Sequence, residues 1–535
     1  MITFGSLIPT LKKMILVNHN ATIDRSCPIK VSSEKPQKNS YGQILKSSSI
    51  VGGAVGVNYL ISMVRIKLVA ILLGPSGVGL VGLYVSATGL MSTITGLGLV
   101  TSGVREVAEA HGSGNAERIA RTVKTLHRVF WASGVFGWLL TAAFSYPLSI
   151  WAFGSGERAW AIAILGATVF LNAVSGGRTS LIQGMRRIGD LARLNVLGAI
   201  AGTILAVGLY AWLGQRGIVP VLIVIAAINL VFAWWFARRI PTVRIAQTWR
   251  ETLGNTKRMV SLGVAFMYGA LLAAMLGLAI RSLIVRKLGL DAGGMYQAAW
   301  GMSGMFAGFI IGAMGMDYYP RLTAVAHDND QVNRLVNEQI EVGILLALPG
   351  LLGTLVFAPW LMHIFYSAKF LPGAELLPWM AIGVFGQVIT SPIAFIQWAK
   401  GRAGWIFVSQ THLNLLNFVL VLVLIQAYGL VAAAWAFALT IFIYWFVVFG
   451  IARRLSGFAW TAPSGRLALS AAGMIGVGFA IQTLTEGLVE FALGVLITTA
   501  ACLLSLRGMA SRLGAEHRIV KIALRFPGGR FSCGL

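Results

Sequence analysis

Residues 74–90 read GPSGVGLVGLYVSATGL and residues 289–305 read GLDAGGMYQAAWGMSGM. The two align without gaps at an offset of 215, placing Gly74 over Gly289, Gly79 over Gly294 and Gly89 over Gly304. Each closes a long apolar run with an arginine near its middle, Arg65 nine residues before Gly74 and Arg281 eight before Gly289. The two runs therefore read as equivalent elements of an internal repeat. The second run is the sixth apolar span after the first, an even step, so both halves enter a membrane in the same direction. That implies parallel repeats about an axis along the membrane normal, with a central interface between them.

The rest of the chain agrees with a membrane setting. Its 535 residues are 57% apolar and 11% charged, and the mean hydropathy is +0.77. Apolar runs of eighteen or more residues recur throughout, each long enough to cross about 30 Å of hydrocarbon. Uninterrupted runs satisfy their backbone as helices, whereas a barrel would show alternation. The expected fold is an all-α polytopic membrane protein of about fourteen transmembrane helices. The spans run approximately 45–73, 78–104, 129–153, 159–183, 191–213, 217–237, 259–285, 292–319, 340–366, 373–399, 404–427, 429–452, 467–485 and 488–506. The breaks at GSGER (154–158) and TEGLVE (485–490) carry least signal.

Cations orient the chain. Of 43 Lys and Arg, 34 fall in alternate connections and both tails, against four (Arg158, Arg216, Lys287, Lys369) on the other side. Lys and Arg accumulate in short cytoplasmic loops, so both termini read as cytoplasmic. The net charge of +25 then reflects topology and attraction to anionic lipid, and nucleic acid is not an expected partner. The organisation expected is a basic disordered tail (1–43), a six-helix bundle (44–240), a cytoplasmic linker (241–258), a second six-helix bundle (259–455), two additional spans (456–506) and a basic tail (507–535). The apolar start MITFGSLIP is too short for a signal peptide, and Met14 is as good a start as Met1. Cys27, Cys502 and Cys533 are not placed for an extracellular disulfide, and no metal-ligand spacing appears.

Five cations lie inside spans: Arg65, Lys67, Arg178, Arg281 and Arg286. Asn58, Ser62 and Arg65 follow i, i+4, i+7 spacing and share one helix face. At about 1.5 Å per residue Arg65 lies roughly 13 Å below the end of its span. A lipid-facing guanidinium there costs at least about 2.5–3.5 kcal/mol, so this face should meet a cavity. Lys67, around 200° away, either snorkels or occupies the far rim. Arg281 repeats the pattern beside Ala270, Ala274 and Gly277, while Arg286 and Lys287 read as snorkelling. Permanently charged, planar guanidinia without an acid at their depth suit a phosphate or pyrophosphate.

Further polar stripes run along Thr88, Ser92, Thr95 and Ser102, and along Gln410, Asn414 and Asn417. They serve either interhelical hydrogen bonding or sugar hydroxyls, with Trp300, Trp398 and Trp405 near enough to stack on pyranose rings. Asp317, Glu106 and Arg178 are candidates for coupling or gating, each also explicable as a local ion pair or topology signal. No nucleophile with its base, phosphate loop or metal box is present, so an enzyme is not expected and no cofactor is implied.

The segments GPSGVGLVGLY, MYQAAWGMSGM, DYYPRLT (317–323) and AKGR (399–402) resemble the O-antigen and lipid-linked oligosaccharide translocases of the multidrug/oligosaccharidyl-lipid/polysaccharide exporter superfamily. The likeness spans about residues 42–455. It implies two six-helix bundles forming a V around a cationic cavity, onto which Arg65 and Arg281 map. It further implies flipping of undecaprenyl-pyrophosphate-linked glycans across the bacterial inner membrane by alternating access, coupled to a proton or sodium gradient. Glycan polymerase and chain-length proteins are then expected partners. Two competing readings are a drug or cation exporter of the same superfamily, disfavoured by arginines where it needs acids, and a non-transporting partner of glycan assembly enzymes.

Overall fold

The structure is a computed structural model that describes residues 38–513 except 242, 244 and 314–317. Asp317, Cys27, Cys533 and most of both expected tails lie outside the described residues. From Ile50 onward the chain forms one compact unit, and the architecture is that of this unit. Every long element is a helix: α1 (Lys38–Gly96), α2 (Leu99–Gly112), α3 (Ala116–Ala143), α4 (Ser145–Phe153), α5 (Ala159–Gly184), α6 (Ile188–Leu213) and α7 (Ile218–Ala237). The second half follows with α8 (Trp249–Leu288), α9 (Leu290–Ala313), α10 (Tyr319–Ala324), α11 (Asn329–Val356), α12 (Ala358–Phe365), α13 (Leu376–Ala399), α14 (Ala403–Tyr428) and α15 (Val431–Ser456). Last come α16 (Ala462–Leu484) and α17 (Gly487–Leu513). By length and composition ten helical runs among the described residues can cross a membrane, or eleven if α3 and α4 form one bent span. Fourteen spans were expected from the sequence. Two of the ten runs each hold a pair of helical segments: Gly56–Gly96 is broken at Gly74, and Ile188–Ala237 contains α6 and α7.

Chemistry explains where these helices stop. Gly74 sits at φ 66°, ψ −177° and Gly289 at φ 91°, ψ 171°, a region open to glycine alone, so the repeat breaks both halves identically. Three boundaries differ from expectation. The second span is interrupted by left-handed residues at Leu97 (φ 44°) and Gly98 (φ 65°), which put Ser102 on a new helix and end the Thr88 stripe early. The third starts at Ala116, capped by Asn115, and turns 63° into α4, where Pro147 supplies no amide hydrogen. The expected linker is shortened by α8, nucleated by a capping box between Thr248 and Glu251.

The buried side chains form four clusters. Two are built mainly before residue 241 and two after it. The halves also trade contacts: Ala70, with Ile66 and Val78 beside it, joins the second-half cluster of Ile280, Tyr296 and Tyr366, while Leu278 joins the first-half cluster of Leu73, Leu83 and Leu148. Helices α16 and α17 lie on α11, where Gly478 meets Leu352 and Gly494 meets Val356. In lipid no hydrophobic force drives such contacts, so small residues that permit close packing carry them.

The seam between the repeats is tightest at the end bearing Gly74 and Gly289. A Cβ on Gly79 would overlap the Leu290 carbonyl oxygen, and one on Gly294 the Pro75 carbonyl oxygen. Pro75 and Leu290, like Gly79 and Gly294, are 215 residues apart. The contact is reciprocal and follows the sequence repeat. Ser282 Oγ donates to the Trp151 carbonyl nearby.

Candidate functional site

Arg65 projects from α1 toward Tyr210 on α6, close enough to interact electrostatically, and is half-buried. Among the described residues no side chain or carbonyl hydrogen-bonds its guanidinium and no carboxylate pairs with it. Asn58 and Ser62, on the same face, are also partly buried. A cation held this way has lost part of its hydration without replacement, which favours an anion beside it.

Lys67 behaves differently. Its Nζ donates to the His363 carbonyl at 2.6 Å, in the last turn of α12, where a helix leaves its carbonyls unpaired. It thus ties α1 to the second half, and neither of the two roles expected for it describes that bond.

Arg281 is held on two sides. Its Nε donates to Gln297 Oε1 at 3.0 Å and its Nη1 to the Gly277 carbonyl at 3.1 Å. The guanidinium carbon stands 5.9 Å from the Tyr296 ring centroid and 6.0 Å from that of Trp300. Gln297 Oε1 in turn lies against Gly82 of the first half, where a Cβ would come within 2.9 Å. Arg281 is therefore a seam residue, whereas Arg65 faces the interior of its own half. The cause is register. The offset of 215 maps Arg65 to Ile280, one residue short of Arg281, and one residue turns a helix position by about 100°.

An apolar cavity of about 450 Å³ is lined by Tyr59, Met63 and Ile66 of α1, Met302 and Met305 of α9, and Phe365 of α12. Ile66 and Tyr366, from the same walls, join the cluster that contains Tyr296.

The other expected residues divide. Trp300 is brought to Arg281, stacked on Tyr296 and edge-on to Phe437. On α14, Gln410 packs against Gly269 of α8, Asn414 Nδ2 donates to the Gln410 carbonyl and Asn417 Nδ2 to Thr440 Oγ1 on α15. These amides are engaged in helix packing. Thr88 bonds back to the Tyr84 carbonyl, and Ser92 is half-buried four residues on. Glu106 is partly buried on α2. Arg178 Nη2 lies 3.3 Å from His127 Nδ1 in a groove between α3 and α5 beside exposed Trp131, and makes no contact with Arg65 or Arg281. Tyr210, Tyr296 and Gln297 escaped sequence reasoning. The last was within reach, because Gln297 aligns with Gly82 in the repeat and the two meet on the seam.

Comparison with known proteins agrees with this architecture. In solved structures the chain is similar to the lipid II flippase MurJ in an inward closed conformation (TM-score 0.63, 13% identity, 86% of this chain and 99% of that one). It is also similar to an inward-facing multidrug resistance MATE family transporter of the same exporter superfamily (TM-score 0.61, 15% identity, 75% and 95%). Identities this low speak for the fold alone. Among curated proteins it is 22% identical over 399 residues to the lipid III flippase of Escherichia coli (strain K12), covering 72% of this chain and 92% of that protein. The lipid III flippase of Shigella flexneri matches equally. Residues 44–326, more than half of the chain, match the family described as polysaccharide biosynthesis protein, and the chain belongs to that family.

Proposed function

We propose that the protein is a flippase for a lipid-linked saccharide. It carries an undecaprenyl-pyrophosphate-linked oligosaccharide, such as an O-antigen or related surface-polysaccharide repeat unit, from the cytoplasmic to the periplasmic leaflet of the bacterial inner membrane. In this reading both termini are cytoplasmic, residues 44–240 and 259–455 are the two moving bundles, and α16 and α17 are an addition to them. The pyrophosphate is taken by Arg65 and Arg281, the saccharide lies along Tyr296 and Trp300, and the chain of the lipid occupies the apolar cavity between α1, α9 and α12 or the surrounding bilayer. Reorientation is coupled to a proton or sodium gradient, and glycan polymerase and chain-length proteins receive the product.

The observation that carries this reading is the guanidinium of Arg65, which has no hydrogen-bond or carboxylate partner among the described residues. A partly desolvated cation is costly to keep, and a phosphate oxygen supplies the charge and the bidentate acceptors that match it. The family and the flippases named above lend support. A drug or cation exporter would place acids where the arginines stand.

The test is translocation in proteoliposomes with defined undecaprenyl-pyrophosphate oligosaccharides, with and without imposed proton and sodium gradients. Movement by the wild-type protein that is lost in Arg65→Ala and Arg281→Ala supports the proposal. Unimpaired movement by the double variant, or none by the wild type under either gradient, sinks it.

A further inference from the structure

We infer that Gln297 is a positioning residue that couples the anion-binding guanidinium of Arg281 to the closure of the seam. The inference rests on the proposed role of Arg281 as a phosphate ligand. It adds a device by which the ligand is sensed.

The geometry begins with the repeat. Gly82 and Gln297 are 215 residues apart, so they occupy equivalent positions, and these positions face one another. Residues that pair with their own equivalents lie on the pseudo-twofold axis, as Gly79 and Gly294 also do. Two side chains cannot share that space. Glycine at one position therefore makes room for a long side chain at the other, and the Gln297 amide oxygen fills it.

The same oxygen accepts from Arg281 Nε at 3.0 Å. Arg281 and Gln297 each stand eight residues from the break at Gly289, about 12 Å along their helices, so they meet at one depth across the α8–α9 hairpin. Hydrogen bonds to charged groups are among the stronger ones, and this one, with the bond to the Gly277 carbonyl, fixes the side-chain angle of the guanidinium. A phosphate that binds the Nη side of Arg281 leaves the Nε bond to Gln297 in place, so it is held best while Gln297 is fixed against Gly82. Conversely, parting of the halves removes the wall that holds Gln297 in place. By linkage, an anion that favours the closed seam must lose affinity when the seam is loosened by other means.

The experiment uses the full-length chain in nanodiscs, made cysteine-free, with two readouts. The first is equilibrium binding of undecaprenyl pyrophosphate without sugar. Gln297→Met keeps the size of the side chain on Gly82 and removes the amide acceptor, so it should weaken binding about tenfold at an unchanged melting temperature. Gly82→Ala, in the other half and away from Arg281, should weaken binding severalfold by displacing the Gln297 oxygen. Added to Gln297→Ala, which leaves room for the new methyl, Gly82→Ala should have less than a twofold effect.

The second readout needs no ligand: the alkylation rate of a cysteine at Val78, which packs on the second half. Arg281→Ala and Gln297→Met should each raise it severalfold, and the pair no more than the larger single effect. Additive effects of Gly82→Ala and Gln297→Ala on binding, or an alkylation rate unmoved by either Arg281→Ala or Gln297→Met, overturn the coupling. If the wild type fails to bind the probe, the ligand reading falls, and the alkylation rates still decide whether Arg281 and Gln297 act as one unit.

Discussion

Gly79 and Gly294 lie back to back on the seam, each beneath the carbonyl of the residue that opens the other's helix, Leu290 for Gly79 and Pro75 for Gly294. Backbone meets backbone there, so an added methyl has no flexible side chain to displace. Gly294→Ala should cost more than the roughly 1–3 kcal/mol usual for overpacking and reduce the yield of folded protein. Gly304→Ala, in the same helix with open space around it, should be neutral or gain up to about 1 kcal/mol. Melting of the two purified variants in detergent makes the comparison.

Arg65 offers a test in which stability and activity move apart. A half-buried cation without a partner among the described residues contributes no fold-holding bond there, so Arg65→Leu should melt no lower than the wild type. Its translocation of lipid-linked saccharide should fall at least about tenfold. A large loss of stability would mean that the guanidinium is structural.

Lys67 should show the opposite pattern. Removing its bond to the His363 carbonyl in Lys67→Met should cost about 0.3–1 kcal/mol of stability, as for a cation at a helix C-terminus. Translocation should persist, since the amine is committed to α12. Thermal unfolding together with the liposome assay checks both halves of that statement.

The connection to the last two helices hangs on Asn337, a buried amide that donates to the Asn333 and Ala459 carbonyls and accepts from the Thr461 amide. Asn337→Leu should remove the bonds to Ala459 and Thr461 and cost about 1–3 kcal/mol in total. Limited proteolysis should then cut between α15 and α16 first, before any loop of the first half.

Asp328 caps α11 from outside the span, accepting from the amides of Asp330 and Gln331 and from the Gln331 side chain, and these bonds hold its carboxyl below the usual range. A depressed folded-state value means that the cap is fully present above the unfolded value near 4 and is lost as pH falls through the lower, folded one. Amide exchange in the first turn of α11 should therefore quicken in acid relative to the rest of the helix. In Asp328→Asn, a cap that does not titrate in this range, that pH dependence should vanish.

Much of this was legible in the residues. The repeat, the breaks at Gly74 and Gly289, the helical class and the late pair of helices all follow from period, length and glycine placement, which are local properties of the chain. The bend at Phe144 and the left-handed pair Leu97–Gly98 were not legible, because both fall inside apolar runs that hydropathy treats as continuous. The site was half legible. The face that Arg65 shares with Asn58 and Ser62 could be read from spacing, but the engagement of Asn417 with Thr440 and of Lys67 with His363 depends on neighbours far along the chain. Gln297 sits among glycines whose spacing dominates the segment's pattern. Laying the two copies over one another shows a polar side chain opposite a glycine at a self-paired position.

The single-residue phase difference between Arg65 and Arg281 has a further consequence. The scaffold has an approximate twofold, yet its charge does not: one guanidinium faces the interior of a bundle and the other lies close to the axis. A symmetric anion would gain nothing from such an arrangement. A diphosphate ester has unlike ends, with a lipid on one phosphate and a saccharide on the other, and an off-axis pair of cations can tell them apart. In the proposed function, two walls alike in backbone but one helical position apart in charge would hold the two ends of such a diphosphate differently.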